Sequence, residues 1–395
     1  MLINVLYGKG SRFGSLFCII AISISFLSCG EKATSDTPAK AMAAVLAQAD
    51  TIPIAADTAA AITVAPDTEP EQYTIIGVGD MMLGTNYPSA SYLPPNGGRD
   101  MLADVRDILA SADVTFGNLE GTILDKGGTA KRCNNPNACY VFRSPESYAQ
   151  HFADAGFDFL SIANNHSGDF GATGRERTKS VLKEAGIAFA GLAGTDEYAI
   201  IERNGVKYGM CAFSPNWGTC SIHNLSKARQ LVSQLEEECD IVIVSFHGGA
   251  EGASHQNVPR QKETYYGENR GDVHEFSHAV VDAGADIVFG HGPHVTRAME
   301  LYKGRLICYS LGNFCTYGRF NLRGAAGIAP LVSVMVGRDG TFQEGQVTPV
   351  YQQKSHGPKI DSQNRAIDKL IELTAADFPE TNLLITPEGK LAVKE

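Results

Sequence analysis

The 395-residue chain contains no Cys-x-x-Cys pair, no Gly-x-Ser-x-Gly elbow and no Walker loop, and its longest apolar stretch near the N-terminus is only fifteen residues. The first absence argues against a Cys-based zinc site or a thioredoxin-like redox centre. The second and third remove the common serine-hydrolase and nucleotide-binding signatures. Gly77-x-Gly79 does not grow into a dinucleotide fingerprint, because Asp80-Met81-Met82-Leu83 follows. Positive charge is also scarce: 33 Lys and Arg face 44 Asp and Glu, a net charge of -11. That balance disfavours a grip on phosphate backbones, so no nucleic-acid partner is expected. The 41 glycines follow no fixed period, which excludes a collagen-like chain, and no tandem repeat is evident.

What the N-terminus does contain is an address. Lys9 and Arg12 precede the apolar run 13–27, which is short for a spanning helix and reads as a signal peptide. The run ends in Leu27-Ser28-Cys29-Gly30, the pattern of a bacterial lipobox, with Cys29 as the lipidated residue. The alternative is an ordinary secretory signal with an incidental cysteine. The lipobox reading places the protein outside the cytoplasm, anchored to a bacterial membrane in the cell envelope. Cleavage leaves 31 basic against 44 acidic side chains. Residues 30–71 are rich in Ala, Thr, Asp and Pro and lack aromatics, as a flexible tether does. In an oxidising compartment Cys133 and Cys139 can close the loop CNNPNAC, and the odd number of remaining cysteines leaves at least one free thiol.

From Tyr73 onward, apolar β-type runs alternate with segments of helical period: YTIIGVG, DVTFGNL, FDFLSIA, IVIVSF, ADIVFG and RLICYSL. This is the rhythm of an α/β domain. Ser144 and Pro145 are the expected start of a helix that ends at Gly156, and Asp272 with Glu275 forms a capping pair for a helix stopped by Gly284. Asn204-Gly205 and Lys303-Gly304 are expected hairpin turns, which makes the sheets mixed instead of purely parallel. The expected organisation is a signal peptide over 1–28, lipidated Cys29 and tether over 29–71, one domain over 72–350, and a helix around AIDKLIEL with a short tail over 351–395.

In α/β folds ligands collect beyond the carboxyl ends of strands, so the residues after each apolar run carry the chemistry. Here they are Gly79-Asp80, Asn118-Leu119-Glu120, Asn164-Asn165-His166, His247-Gly248-Gly249 and His291-Gly292-Pro293-His294. A single Asp or His in such a place is usually a cap or a satisfied core residue. Five successive strand ends with carboxylates, an amide and imidazoles suit one or two divalent ions, Mn, Zn or Fe.

The strings GVGDMMLG, FGNLEG, SIANNHSGDFGATG, VSFHGGAEG, VFGHGPHV and YSLGNF, in that order, resemble the CapA capsule-synthesis family, whose fold is similar to the calcineurin-like metallophosphoesterases. The resemblance implies a four-layer α/β/β/α sandwich with mixed sheets. It also implies Asp80 and Glu120 as acidic metal ligands, Glu120 as the bridge, and Asn165, His247, His291 and His294 completing the shell. His166 resembles the phosphoesterase residue that faces the leaving group as a general acid. Asp169 either orients that imidazole or caps the following helix. Arg143 is a candidate anion clamp or an ordinary surface ion pair. The resemblance implies a metal-dependent hydrolase of a phosphoester, or a handling factor for an anionic polymer such as poly-γ-glutamate, with capsule-synthesis machinery as the associated partner; a surface binding module with a vestigial metal site is the alternative.

Three departures stand out. Met82 occupies the place of a phosphoesterase histidine, which predicts a weak or empty second metal position. The last pair is His-x-x-His instead of His-x-His, and Gly249 replaces a Trp of many relatives, which predicts a more open floor beside His247. Residues 274–278 also spell His-Glu-Phe-Ser-His, the zincin pattern of two imidazoles one helical turn apart, though Val281 stands where a metzincin has Gly. A zinc peptidase is one reading of that string; histidines that face solvent or support another site's ligands from behind are the other.

Overall fold

The computed structural model describes residues 72–133, 139–353 and 356–394; the signal peptide, Cys29 and the tether lie outside them. Two mixed sheets carry the fold. The larger has ten strands and runs Leu383–Ile385, Lys390–Val393, Phe342–Gln353, Ile328–Gly337, Gln72–Met82, Val114–Leu119, Phe159–Ser161 and Ala188–Ala190. Asn313–Thr316 lies parallel to the end of Gln72–Met82, and Gly357–Ile360 pairs with Phe342–Gln353. The smaller has six strands in the order Met299–Tyr302, Arg305–Cys308, Ile287–His291, Ile241–His247, Val206–Phe213 and Tyr198–Arg203.

The near-continuous apolar runs of the central strands bury both faces, as parallel strands covered by helices do. Between the sheets, Ile75, Phe116 and Val334 of the larger meet Met210, Ile243 and Phe289 of the smaller. Phe116 and Phe289 stack with ring centroids 5.4 Å apart. Gly77 permits this approach, since a Cβ there would lie 2.3 Å from Phe289 Cε1. On the outer face of the large sheet, Leu109, Phe152 and Val181 cover Ile76, Val78 and Leu160. On the outer face of the small sheet, Leu231, Leu235, Phe276 and Val280 cover Val242, Val244 and Val288. The result is the α/β/β/α sandwich.

Both expected hairpins form, with Asn204 and Lys303 each at positive φ before a glycine, the type I′ geometry that matches strand twist. Asp272 caps the helix Val273–Val281 by accepting from the Glu275 amide at 2.9 Å. The helix expected from Ser144 starts later, as Tyr148–Asp154. Ser144 instead ends a two-residue strand and donates its hydroxyl to the Gly84 carbonyl at 2.7 Å, so its side chain serves a tertiary contact and not a cap. The segment after Tyr351 contains the expected helix, Arg365–Asp377, and then two short strands that extend the ten-stranded sheet. Cys133 and Cys139 are disulfide-bonded, and Cys211, Cys220, Cys239, Cys308 and Cys315 are free.

Two local features set the strand ends that carry the site. The Asp80 amide donates to the Gly312 carbonyl at 2.8 Å, and a Cβ on Gly79 would sit 2.0 Å from that same oxygen. His247 and His291 are register partners on adjacent parallel strands, so they leave the small sheet side by side.

Candidate metal centre

Asp80 lies near the carboxyl end of Gln72–Met82, the central strand of the large sheet, and is fully buried. Its Oδ1 accepts from Asn118 Nδ2 at 2.8 Å, and its Oδ2 accepts from His294 Nδ1 at 2.8 Å. Glu120, also fully buried, follows the next strand; its Oε1 lies 3.5 Å from His294 Nε2 and 3.9 Å from His166 Nε2. Ligand atoms of Asp80, Glu120 and His294 all fall within 4.8 Å of one another. His294 reaches them from a positive φ of 58°, a conformation that a non-glycine residue adopts at a cost, and Asn313 Nδ2 holds its carbonyl at 3.2 Å.

The charges of the three groups act on one another. Burial alone would lower the His294 pKa, yet Glu120 and the hydrogen bond to Asp80 raise it to about 10. Burial, reinforced by the Asp80 charge and opposed by His294, pushes the Glu120 carboxyl well up. Burial would also raise Asp80, but the bonds from His294 and Asn118 outweigh it and lower the carboxyl. His294 is therefore the countercharge of two buried acids.

Several buried atoms here have no hydrogen-bond partner: both Glu120 oxygens, both His247 ring nitrogens and Asn165 Oδ1. Buried polar groups are normally satisfied, and the cost of leaving one unmade is on the order of 1–3 kcal/mol. The Glu120 carboxylate belongs to the Asp80–His294 group and the His247 ring lies 6.1 Å from that of His294, a mixed oxygen and nitrogen donor set of the kind a divalent transition metal takes. Asp80, Glu120 and His294, with His247 nearby, thus fit a metal, and Asn165 is tied to the site only by its place next to His166 and its unpartnered Oδ1. His291 is differently placed. Its Nε2 lies 3.0 Å from the Val78 carbonyl and its Nδ1 lies 3.4 Å from Ser245 Oγ, so the ring staples the two sheets and leaves no nitrogen free for a ligand role in this arrangement.

Beside the cluster stands a proton-handling pair. His166 Nδ1 donates to Asp169 Oδ2 at 2.8 Å, and Asp169 also accepts from the Phe142 amide at 2.6 Å and pairs with Lys131 at 2.6 Å. Burial lowers the His166 pKa, with Asp169 opposing, so the ring is neutral at neutral pH with its proton on Nδ1 and Nε2 open towards Glu120. Of the two roles expected for Asp169, orientation of the imidazole is the one the geometry supports. The next helix, Gly171–Glu184, has Phe170 at its N-cap and no side-chain cap.

With this geometry in place, the comparison with known sequences is direct: residues 74–317 match the family described as bacterial capsule synthesis protein PGA_cap. The chain belongs to this family. Its PGA_cap relatives include the capsule biosynthesis protein CapA of Bacillus anthracis, 30% identical over 62% of this chain and 60% of that one. Another is the PGA biosynthesis protein CapA of Bacillus subtilis, 26% identical over 60% of this chain and 61% of that one. The chain thus spans less than two thirds of the length of these curated relatives. Among solved structures, a putative 5'-nucleotidase from Staphylococcus aureus aligns with a TM-score of 0.43 and 13% identity, covering 76% of this chain and 58% of that one.

In this PGA_cap chain the departures take concrete form. Met82 is buried, near the position a Cβ on Gly121 would take, and supplies no hard donor where a phosphoesterase has histidine. The open floor expected at Gly249 is absent. A Cβ there would sit 2.8 Å from Arg297 Nη1, because the fully buried Arg297 forms a bidentate pair with Glu263, 2.8 Å at each nitrogen. Arg143 stands apart from the cluster in its contacts: Nε donates to Asn86 Oδ1 at 2.6 Å, Nη1 donates to the Gly127 carbonyl at 3.2 Å, and the guanidinium lies over Phe170.

Sequence reasoning missed Arg270. It is the penultimate residue of the short strand Glu268–Gly271, is 2% exposed, and pairs through Nη1 with Glu251 at 3.0 Å while Nε and Nη2 have no hydrogen-bond partner. Its carbonyl accepts from the Gly249 amide at 2.9 Å, which ties it to the loop after His247, and its charge contributes to lowering the His247 pKa. It also missed the amide ladder in which Asn164 Nδ2 donates to Asn118 Oδ1 at 3.1 Å and Asn164 Oδ1 accepts from the His166 amide at 3.0 Å. That ladder links Asp80 to His166 through two side chains.

Proposed function

We propose that the chain is a metal-dependent, phosphoesterase-like hydrolase of the cell envelope that acts on an anionic substrate. The observation that carries this reading is the grouping of Asp80, Glu120 and His294, with both Glu120 oxygens unpartnered, the unpartnered His247 ring 6.1 Å from that of His294, and the His166–Asp169 pair alongside. A divalent ion held by Asp80, Glu120 and His294 would supply Lewis-acid polarisation of the scissile group and a more acidic water. The protein's own residues do the rest. His166 exchanges a proton at Nε2 while Asp169 fixes the tautomer and stabilises the imidazolium, and Lys131 with the Phe142 amide holds Asp169 in place. Hydrolysis of a generic aryl phosphodiester by metal-loaded protein, lost in His166→Ala, tests the reading. Metal bound with turnover no greater than in that variant would contradict it.

A second reading keeps the site but makes the chain a handling factor for an anionic capsule polymer such as poly-γ-glutamate. Met82 in place of a ligand favours it, since a single strong metal position suits binding better than a two-ion clamp. Both readings need an anion-binding group, and Arg270, with two unpartnered buried nitrogens, fits that need better than Arg143. Arg270→Gln is expected to raise KM for a phosphodiester by about tenfold or more, the scale of a lost charge-assisted hydrogen bond at about 1.5–3 kcal/mol. An unchanged KM would remove Arg270 from the substrate.

The lipobox reading of Cys29 places the domain on the outer side of a membrane, tethered by residues 30–71. No helix among the described residues is long and apolar enough to cross a membrane. Labelling with a palmitate analogue should mark the wild type and not Cys29→Ala; equal labelling of both would rule out the anchor.

A further inference from the structure

We propose that His274, His278 and Glu300 form a second metal site, separate from the Asp80 centre, that takes one zinc-class divalent ion. The two histidines are four residues apart on the helix Val273–Val281 and therefore share one face. Their ring centroids are 4.1 Å apart. Glu300 approaches from Met299–Tyr302, the edge strand of the small sheet, and its Oε2 lies 3.0 Å from His278 Nε2. One ligand atom from each of the three residues lies within 4.8 Å of the others, and among the described residues only this group and the Asp80 group do so.

The surroundings hold the donors in place before any ion arrives. Tyr309 donates its hydroxyl to Glu300 Oε2 at 2.7 Å, which orients the carboxylate. Tyr302 stacks on His278 with centroids 3.7 Å apart and planes 15° from parallel. Tyr309 and Phe378 flank His274, at 6.4 and 6.0 Å. Glu300 is nearly buried, whereas the two imidazoles are half-buried, so the site is anchored on one side and open to solvent on the other. Two imidazoles and one carboxylate, with the remaining position open to water, are a donor set that zinc accepts. Arg260, packed over Phe378, lends positive charge to this region and weakens cation affinity to some degree.

The string His-Glu-Phe-Ser-His thus supplies two ligands, but the peptidase chemistry it suggests has no support in the geometry. Glu275 is exposed, and its recorded role is its amide bond to the Asp272 cap. What the site does is join the outer helix to the edge strand. It shares no residue with the Asp80 centre, so its fate is independent of the hydrolase reading.

The test is zinc binding by the full chain after dialysis against a weak chelator, comparing wild type with His274→Gln/His278→Gln. The wild type is expected to retain one more equivalent of zinc than the double variant, and zinc is expected to raise its thermal midpoint further. Equal zinc content and equal midpoint shifts would overturn the proposal. Should the double variant fail to fold, Tyr309→Phe leaves all three ligands in place and is expected to weaken zinc at this site by about 10–100-fold. Unchanged zinc affinity in Tyr309→Phe would likewise overturn it.

Discussion

His166→Ala is expected to lower phosphodiester turnover by about 10²–10⁴-fold, the usual worth of a positioned general acid or base, while leaving bound metal unchanged. The separation between the two effects follows from the geometry. His166 Nε2 is 3.9 Å from Glu120 Oε1, close enough to serve the same substrate but donating nothing to Asp80 or His294. Asp169→Asn should give a smaller loss, because an amide can keep the Nδ1–H contact but cannot balance the charge of an imidazolium. Measuring kcat and metal content together on the two variants checks both statements. Loss of metal in His166→Ala would mean that this ring is a ligand and not a proton carrier.

Glu120→Gln is expected to weaken divalent-metal binding by about 100-fold or more, at or above the 10–100-fold cost of removing a supporting partner. The substitution keeps shape and removes charge. In the metal-free protein it should leave stability unchanged or raise it, because burial without a hydrogen bond penalises the Glu120 charge by more than the attraction of His294 offsets, and Asp80 adds repulsion. With metal present the sign reverses. A ligand at 100 times its Kd stabilises the folded state by about 2.7 kcal/mol, and the variant forfeits that increment. Thermal midpoints of both proteins with and without Mn²⁺ read the two effects separately. A midpoint shift as large in Glu120→Gln as in the wild type would place the ion elsewhere.

Much of this site is legible in the sequence because of one topological fact. Parallel strands present their carboxyl ends on one edge, so residues following apolar runs converge whatever lies between them. Asp80, Glu120 and His294, which the fold brings together, are legible as strand-end residues for that reason. Arg270 is not, because it lies on a two-stranded excursion, Glu263–Tyr265 with Glu268–Gly271, inserted between two strands of the small sheet. Nothing in NRGD distinguishes a buried guanidinium from a surface one. His291 shows the converse limit: it ends its strand as the apolar run predicts, but the backbone carbonyl beside its Nε2 belongs to Val78, 213 residues away.

The same contrast holds for the fold. Hairpins and the Asp272 cap depend on neighbours in sequence, and the helix Val273–Val281 begins where its cap lies. Ser144 carries an equally good capping signal, but Gly84 competes for its hydroxyl from 60 residues away, and the helix begins at Tyr148 instead. The strands Leu383–Ile385 and Lys390–Val393 are too short to show a period of their own, and pairing with the long Phe342–Gln353 strand defines them.

The central claim is that buried, unpartnered donors around Asp80 hold a divalent ion. Metal content of purified full-length protein, measured beside Asp80→Asn/Glu120→Gln after identical loading with Mn²⁺, Zn²⁺ or Fe²⁺, tests it most directly. The account predicts at least one equivalent more in the wild type, a difference that any ion at His274, His278 and Glu300 leaves untouched. Equal metal content in the two proteins would contradict it.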